Sequence, residues 1–569
     1  MISKSHKILT LSILLFSTLT AAAPSTQLNN NEIPPEILLE IDTIIRSSME
    51  RQHVPAFGVS LVKGNATYAK GYGLRDVEHN LPADGNTLFA IGSLSKSFAG
   101  LIVTRTLRDL YTEMGEAVLD TPIATLAPSY NLTFSDRYRS EQVTFRDLLS
   151  HRVCVLPEMS GLLAQAYQGK DDFYYRFRYS PNAQECSFRN GMAYSNALIA
   201  LSGEIVAHMV NSTYEELLTQ LLFDLGMTGT TWIRASDDHN NMMHRAVPYI
   251  WKEGRLQRYN TELLKLIAPI FGGGGILSCV NDMVKYMQLY AHNGKIGDNQ
   301  VIPEEVMTWM TAISITEYSG ITKGLSNPNA TVDISIGYGL ALFSGIYDGW
   351  RRIGHGGFMP PFQSSFYSYP EQGISIFVAA SGPGPLLELE EVKRQIYYLL
   401  AGFTKAPKIQ PDYQMKHELS FYNKFRNPKP AKSQPHEDVE ITPDQAVGSY
   451  GSGFDGEMNI TFRNNSVGIP QLYWSYGRMA EGWLVQIAPN RFSLSKWGSD
   501  FWMIFWSVGI GFGAVELRFL DLDTIQYYEL GAVFSTNFIR GLKLEDLPVI
   551  PWHPDSCGVS LILGTDYPI

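Results

Sequence analysis

The stretch FAIGSLSKSF, residues 89–98, sets a serine and a lysine three positions apart, Ser93 and Lys96. The same tetrapeptide, SLSK, returns at residues 493–496 inside NRFSLSKWGSD. Only the surroundings can tell which copy is chemical. In the second, a strand would send Phe492, Leu494 and Lys496 to one face and Ser493 and Ser495 to the other, so Ser493 and Lys496 would not meet. The first copy runs into KSFAGLIVTRTLRDL, where Phe98, Leu101, Ile102 and Leu110 have helical spacing. On a helix, positions three apart share a face, which puts the Lys96 amine against the Ser93 hydroxyl. A serine hydroxyl is a weak nucleophile until a base takes its proton, and a lysine whose pKa is lowered can be that base. A helix N-terminus also turns backbone N–H groups toward a developing oxyanion. The reading therefore takes Ser93 as nucleophile and Lys96 as base.

Two further stretches supply partners. GMAYSNALIALSGEIV holds Tyr-x-Asn, Tyr194 and Asn196, at the head of an apolar helix. RRIGHGGFMPPF holds His355-Gly356-Gly357 just before a strand-like run. Other site types are missing from the sequence. There is no G-x-S-x-G elbow; HEDVE and HELSF lack the second histidine of H-E-x-x-H; and the glycines at 272–275 have no Gly-Lys-Ser/Thr after them. Those glycines read as a tight turn close to the site. No metal and no organic cofactor is implied.

With these three motifs in order, the chain resembles the serine β-lactamase and penicillin-binding-protein superfamily, and within it the class C-like branch of esterases, D-aminopeptidases and acyltransferases. The stretches GYGLRDVEHNLPADGNTLFAIGSLSKSF, VTFRDLLSHRV, YSNALIALSGEIV, YEELLTQLLFDLGMTGT, GGGGILSCVNDMVKYM and IGYGLALF look like its landmarks, over roughly residues 40–400. The resemblance implies that Ser93 forms an acyl-enzyme and that Lys96 and Tyr194 share the general-base work. Tyr194 would carry the proton to the leaving group, and Asn196 would hold Lys96 or a substrate amide. It places the oxyanion hole at the backbone N–H groups of Ser93 and Phe358, and gives substrate room along Gly356 and Gly357. Two departures stand out. His355 occupies the position of the lysine that holds the drug carboxylate in true β-lactamases, and the usual Ser-Gly after LLSH is replaced by LLSHRVCVLPE.

The rest of the chain fits an exported enzyme. Lys4 and Lys7 precede ILTLSILLFSTLT and then AAAP, the pattern of a signal peptide over residues 1–23; the apolar run is too short for a membrane span, which needs about 20 residues. Six sequons follow, at Asn65, Asn131, Asn211, Asn329, Asn459 and Asn464. Four cysteines are present, and Cys154 and Cys186, the nearest pair, are expected to bridge in an oxidising compartment. A net charge of −11 makes nucleic acid a poor partner.

At 569 residues the chain is too long for one ordinary core. Residues 30–403 read as a catalytic α+β domain, an antiparallel sheet flanked by helices. FGVSLVKGNATYAKGYG gives two antiparallel strands, GISIFVAAS and QSSFYSYP two more, and NSTYEELLTQLLFDLG a helix with a capping box from Ser212 to Glu215. Residues 404–440, rich in Pro, Lys and Asn, read as a linker. Residues 441–569, with EMNITFRNNSVG and VELRF, read as a small sandwich or barrel, and this tail is similar to the lipocalin-like domains appended to some members of the superfamily. The expected function is a secreted serine hydrolase acting on a small-molecule ester, peptide or amide, with acyl transfer to an amine or alcohol, or a non-catalytic binding module, as alternatives.

Overall fold

The computed structural model describes residues 32–156, 160–183, 186–316, 333–383, 386–403, 440–497, 500–507, 515–529 and 535–548. The expected signal peptide, the sequon at Asn329 and the expected linker lie outside these residues, apart from the linker's last position.

The chain enters through helix α1 (Pro35–Gln52) and a hairpin, β1 (Ala56–Lys63) and β2 (Ala66–Asp76), the two antiparallel strands expected of FGVSLVKGNATYAKGYG, although β1 is buried on both faces and does not alternate. The helices that carry the site follow: α2 (Ser95–Leu110), α3 (Phe145–Leu149), α4 (Asn196–Met209) and α5 (Tyr214–Asp224). Strands β3 (Asp333–Tyr338), β4 (Phe343–Tyr347), β5 (Trp350–Met359), β6 (Phe362–Tyr369) and β7 (Ile374–Ala380) then return to the same sheet, and α6 (Leu386–Leu400) closes the domain. The sheet order is β3-β4-β5-β6-β7-β1-β2, antiparallel throughout, with two-residue strands at either edge.

This sheet is a middle layer. Val59 and Leu61 of β1 pack against Ile41 and Ile45 of α1 and Ile396 of α6, while Phe377 and Ala379 of β7 face the core around α2. A strand buried on both faces has apolar residues at nearly every position, and β1 and β7 read that way. The central helix α2 is buried from Ser95 to Thr104. Its polar residues on that stretch are therefore held by hydrogen bonds: Ser95 Oγ accepts from Ile276 N at 3.0 Å, and Ser97 Oγ donates to Leu94 O at 2.7 Å.

The capping box of α5 is one residue later than expected. Because the helix begins at Tyr214, Thr213 is the N-cap and Glu216 the third helical residue, and these two exchange the bonds assigned above to Ser212 and Glu215. His355-Gly356-Gly357 likewise lies within β5, not ahead of a strand.

The C-terminal region settles the choice between sandwich and barrel. Eight antiparallel strands, β8 (Gly448–Ser452), β9 (Gly456–Asn464), β10 (Pro470–Tyr476), β11 (Ala480–Ala488), β12 (Arg491–Trp497), β13 (Val515–Phe519), β14 (Thr524–Glu529) and β15 (Ser535–Arg540), close on themselves. Met458, Ile460, Trp474, Tyr476, Leu494, Leu517, Tyr527 and Phe538 are buried inside, so side chains fill this small barrel.

Candidate active site

Ser93 lies in a single 3₁₀ turn, Gly92–Leu94, that runs straight into α2. The serine is partly exposed, whereas Lys96 is fully buried. Lys96 Nζ stands 2.8 Å from Ser93 Oγ and donates to Asn196 Oδ1 at 2.7 Å and to the Gly273 carbonyl at 2.6 Å. Three distant segments converge on one amine. Asn196 is the first residue of α4, whose N-cap Ser195 accepts from Leu198 N at 3.2 Å. Gly273 ends the 3₁₀ segment Thr261–Gly273, so the glycine run reaches the site through a carbonyl.

Gly92 has φ 53°, and a Cβ there would come within 2.5 Å of Phe358 N. Glycine at 92 thus brings β5 and the Ser93 turn into contact. The hairpin register then fixes which way the Phe358 amide points. Tyr347 and Trp350 close the β4–β5 hairpin across a two-residue turn, so even-numbered residues of β5 direct their N–H groups toward β4. That pairing stops at Gly354–Phe343, which leaves the edge at Gly356 and Phe358 uncovered by β4. The amides of Ser93 and Phe358 therefore belong to adjoining segments beside the serine.

The two glycines after His355 differ in duty. A Cβ on Gly357 would meet Ile91 O at 1.9 Å, so this glycine serves packing against the start of α2; one on Gly356 would meet only Ser364 O at 4.0 Å. Of the pair, Gly356 is the one with open space.

Tyr194 precedes Ser195 and Asn196 and is partly exposed. Lys96 Nζ lies 4.8 Å from its ring centroid. His355 is buried, and its Nδ1 lies against the Gly356 carbonyl; with the proton there, the one lone pair on Nε2 is within reach of two hydroxyls, Tyr338 at 3.1 Å and Tyr194 at 3.4 Å. Burial, with Lys96 adding, pushes its imidazole down to about 3, so His355 is neutral at physiological pH.

Three contributors were not assigned roles from sequence. The Gly273 carbonyl is backbone, and its residue type carries little information. Tyr338, in IGYGLALF, and His151, in VTFRDLLSHRV, both lie in landmark stretches. His151 is fully buried with its ring 4.2 Å from that of Tyr194. Beyond it, Cys154 stands in the stretch that replaces the usual Ser-Gly. It has φ 56°, a conformation that favours glycine, and is joined by a disulfide to Cys186. Asp147 of α3, fully buried, pairs with Arg152 at 2.7 Å and Arg189 at 2.8 Å, tying both ends of the same loop.

The remaining candidates lie elsewhere. Ser493 is on β12 of the barrel, with Oγ 3.4 Å from Val515 O. Asn65, Asn131, Asn211, Asn459 and Asn464 are all exposed. Among the described residues there is no cluster of three metal-ligating side chains, and no helix is long and apolar enough to cross a membrane.

A layered antiparallel sheet with a Ser-x-x-Lys helix at its face is the penicillin-binding-protein type of fold. Solved structures agree on the fold: the octameric penicillin-binding protein homologue from Pyrococcus abyssi matches with a TM-score of 0.53 at 18% identity, over 88% of this chain and 99% of that one. SurE matches with a TM-score of 0.51 at 15% identity, over 89% and 99%. The family model described as Beta-lactamase matches residues 41–400, and the chain belongs to that family. Among named relatives, the Unguisins hydrolase ungD' of Aspergillus campestris is 22% identical over 343 residues, 59% of this chain and 60% of that protein. Protein flp of Staphylococcus aureus is 23% identical over 214 residues, 37% and 40%. The chain thus aligns with about 60% and 40% of the lengths of these relatives.

Proposed function

We propose that this protein is a secreted serine hydrolase that cleaves an ester or amide bond through an acyl-enzyme at Ser93. The observation that carries the reading is the setting of Lys96. A neutral amine has two N–H groups and one lone pair. Asn196 Oδ1 and the Gly273 carbonyl are both acceptors, so they can take the two protons and leave the lone pair for the Ser93 hydroxyl 2.8 Å away. The base is buried and its nucleophile is reachable from solvent.

In this scheme Ser93 Oγ attacks the acyl carbonyl as its proton passes to Lys96. The amides of Ser93 and Phe358 receive the developing oxyanion, and Tyr194 returns a proton to the departing alcohol or amine. A second nucleophile then releases the acyl group. A neutral His355 offers no cation to a substrate carboxylate, which favours donors with no free carboxylate beside the scissile bond. A relative named as a hydrolase supports the reaction class. The N-terminal pattern, the Cys154–Cys186 disulfide and five exposed sequons support export.

Intact-mass measurement after exposure to an activated ester is the test. A single adduct should form in wild type and in Ser493→Ala and be missing from Ser93→Ala, and Lys96→Met should slow its formation by about 10²–10⁴-fold. An adduct that survives Ser93→Ala would refute the assignment. Decay of the adduct in water, compared with added amines, distinguishes hydrolysis from acyl transfer.

A further inference from the structure

We propose that His151 is a positioning residue for Tyr194, holding the Tyr194-Ser195-Asn196 turn in register with Lys96; this rests on the reading of Tyr194 as the proton carrier to the leaving group. The turn is gripped on both sides of the tyrosine. His151 O accepts from Ala193 N at 3.0 Å, and His151 Nδ1 accepts from Ser195 N at 3.1 Å. Between these two bonds the imidazole lies against the phenol, centroids 4.2 Å apart with a 36° tilt, and its far side faces the Tyr338 ring at 4.9 Å. The Tyr338 hydroxyl in turn reaches His355 Nε2, which the Tyr194 hydroxyl also reaches. Tyr194 is thus held by its ring and by both neighbouring amides, with its hydroxyl within reach of His355.

The residue type needs explaining, because histidine is costly here. An amide donor at Nδ1 places the ring proton on Nε2, and that atom is buried without a partner among the described residues. An apolar side chain would fill the same space with no orphaned donor. What it would lack is the acceptor at Nδ1. The backbone at His151 has φ 60°, a left-handed conformation that, after glycine, Asn, Asp and His adopt most readily. The ring thus meets the Ser195 amide at the expense of an orphaned donor on its other nitrogen.

Asparagine and glutamine at 151 separate this role from space-filling. Asn can place its amide oxygen near the Nδ1 position, whereas Gln carries it past. Turnover should be measured with an activated aryl ester and with an alkyl ester of the same acyl group, since only the alkyl leaving group depends on a proton from Tyr194. His151→Gln should lower alkyl-ester kcat/KM, which reports acylation, by about 10–100-fold, with aryl-ester kcat/KM within about threefold. His151→Asn should recover most of that loss. The Gln effect should also be non-additive with Tyr194→Phe. Equal losses on both esters, no loss on either, or an Asn variant as poor as Gln would overturn the proposal. Should Gln fail to fold by thermal unfolding, His151→Phe keeps the ring and removes the acceptor, with the same expected selectivity. If Tyr194→Phe shows no leaving-group dependence while Ser93 still forms its adduct, the role of Tyr194 is wrong and this inference falls with it.

Discussion

A histidine whose ring is held neutral by burial links the site to the pH range in which the fold is stable. His355 is pushed down to about 3 by burial and by Lys96, from an ordinary value of 6.5. In that window the unfolded chain binds the proton and the folded chain does not, so stability rises with pH from about 3 up to 6.5. Going from pH 7 to pH 5 should therefore cost about 2 kcal/mol through His355 alone. Urea midpoints should fall on acidification, and His355→Gln should flatten that slope; an unchanged slope would show that His355 does not carry it. Ser93, Lys96, Tyr194, Asn196 and His355 were legible in the sequence because each belongs to a short motif of distinctive side chains. His151, Tyr338 and Gly273 were not given roles. Two act through rings and one through a carbonyl, and nothing in a sequence says which ring or which carbonyl will face the site.

One element shows how a buried charge can hold a layer in place. Helix α6 lies on the far side of the sheet, where the side chain of Lys393 is 2% exposed. Its ammonium pairs with Glu390 at 2.7 Å and also donates to Ser365 Oγ on β6, and that hydroxyl donates back to Glu390 at 2.5 Å. Desolvation alone would raise the Glu390 carboxyl, but Lys393 and Ser365 bring it below its ordinary range. Glu390→Ala removes the carboxylate that faces this buried ammonium and should cost about 3–5 kcal/mol in denaturant unfolding. The double variant Glu390→Ala, Lys393→Met should recover most of it. A single variant no worse than the double would contradict the buried-pair account. The helix itself follows from sequence; its clamp does not, because Ser365 and Glu390 meet only once β6 and α6 are stacked.

At the scale of the whole molecule, the barrel is docked against two segments of the catalytic domain. Asp455, 2% exposed, accepts from Gly161 N at 3.3 Å and Thr536 Oγ1 at 2.7 Å, and burial raises its carboxyl. Nearby, Phe454 packs on Phe177 with centroids 5.5 Å apart, and Arg478 N and Met479 N both donate to Ala164 O. These contacts lie on the loop between His151 and Tyr194. At the second segment, the Lys252 ammonium lies 4.2 Å from the Trp502 ring centroid, and Asp500 accepts from Asn260 at 2.9 Å, just ahead of the segment that ends in Gly273. One apolar cluster runs through both parts. Calorimetry should therefore show a single unfolding transition, and Asp455→Ala should lower its midpoint while leaving it single. Two transitions in the wild-type protein would mean that the contacts are too weak to couple the parts.

The sequence by itself determined the β1–β2 hairpin, the helix that follows the first SLSK and the strand that holds the second, and the change to β structure near residue 441. Those follow from periodicities of two and 3.6 residues and from motifs only a few residues long, which are local properties of the chain. Tertiary structure alone decided that the barrel closes, that Gly357 serves packing while Gly356 stays open, and that a glycine carbonyl accepts from the lysine. Each of these depends on segments far apart in sequence arriving within a few ångströms, and close packing rather than local preference fixes such meetings.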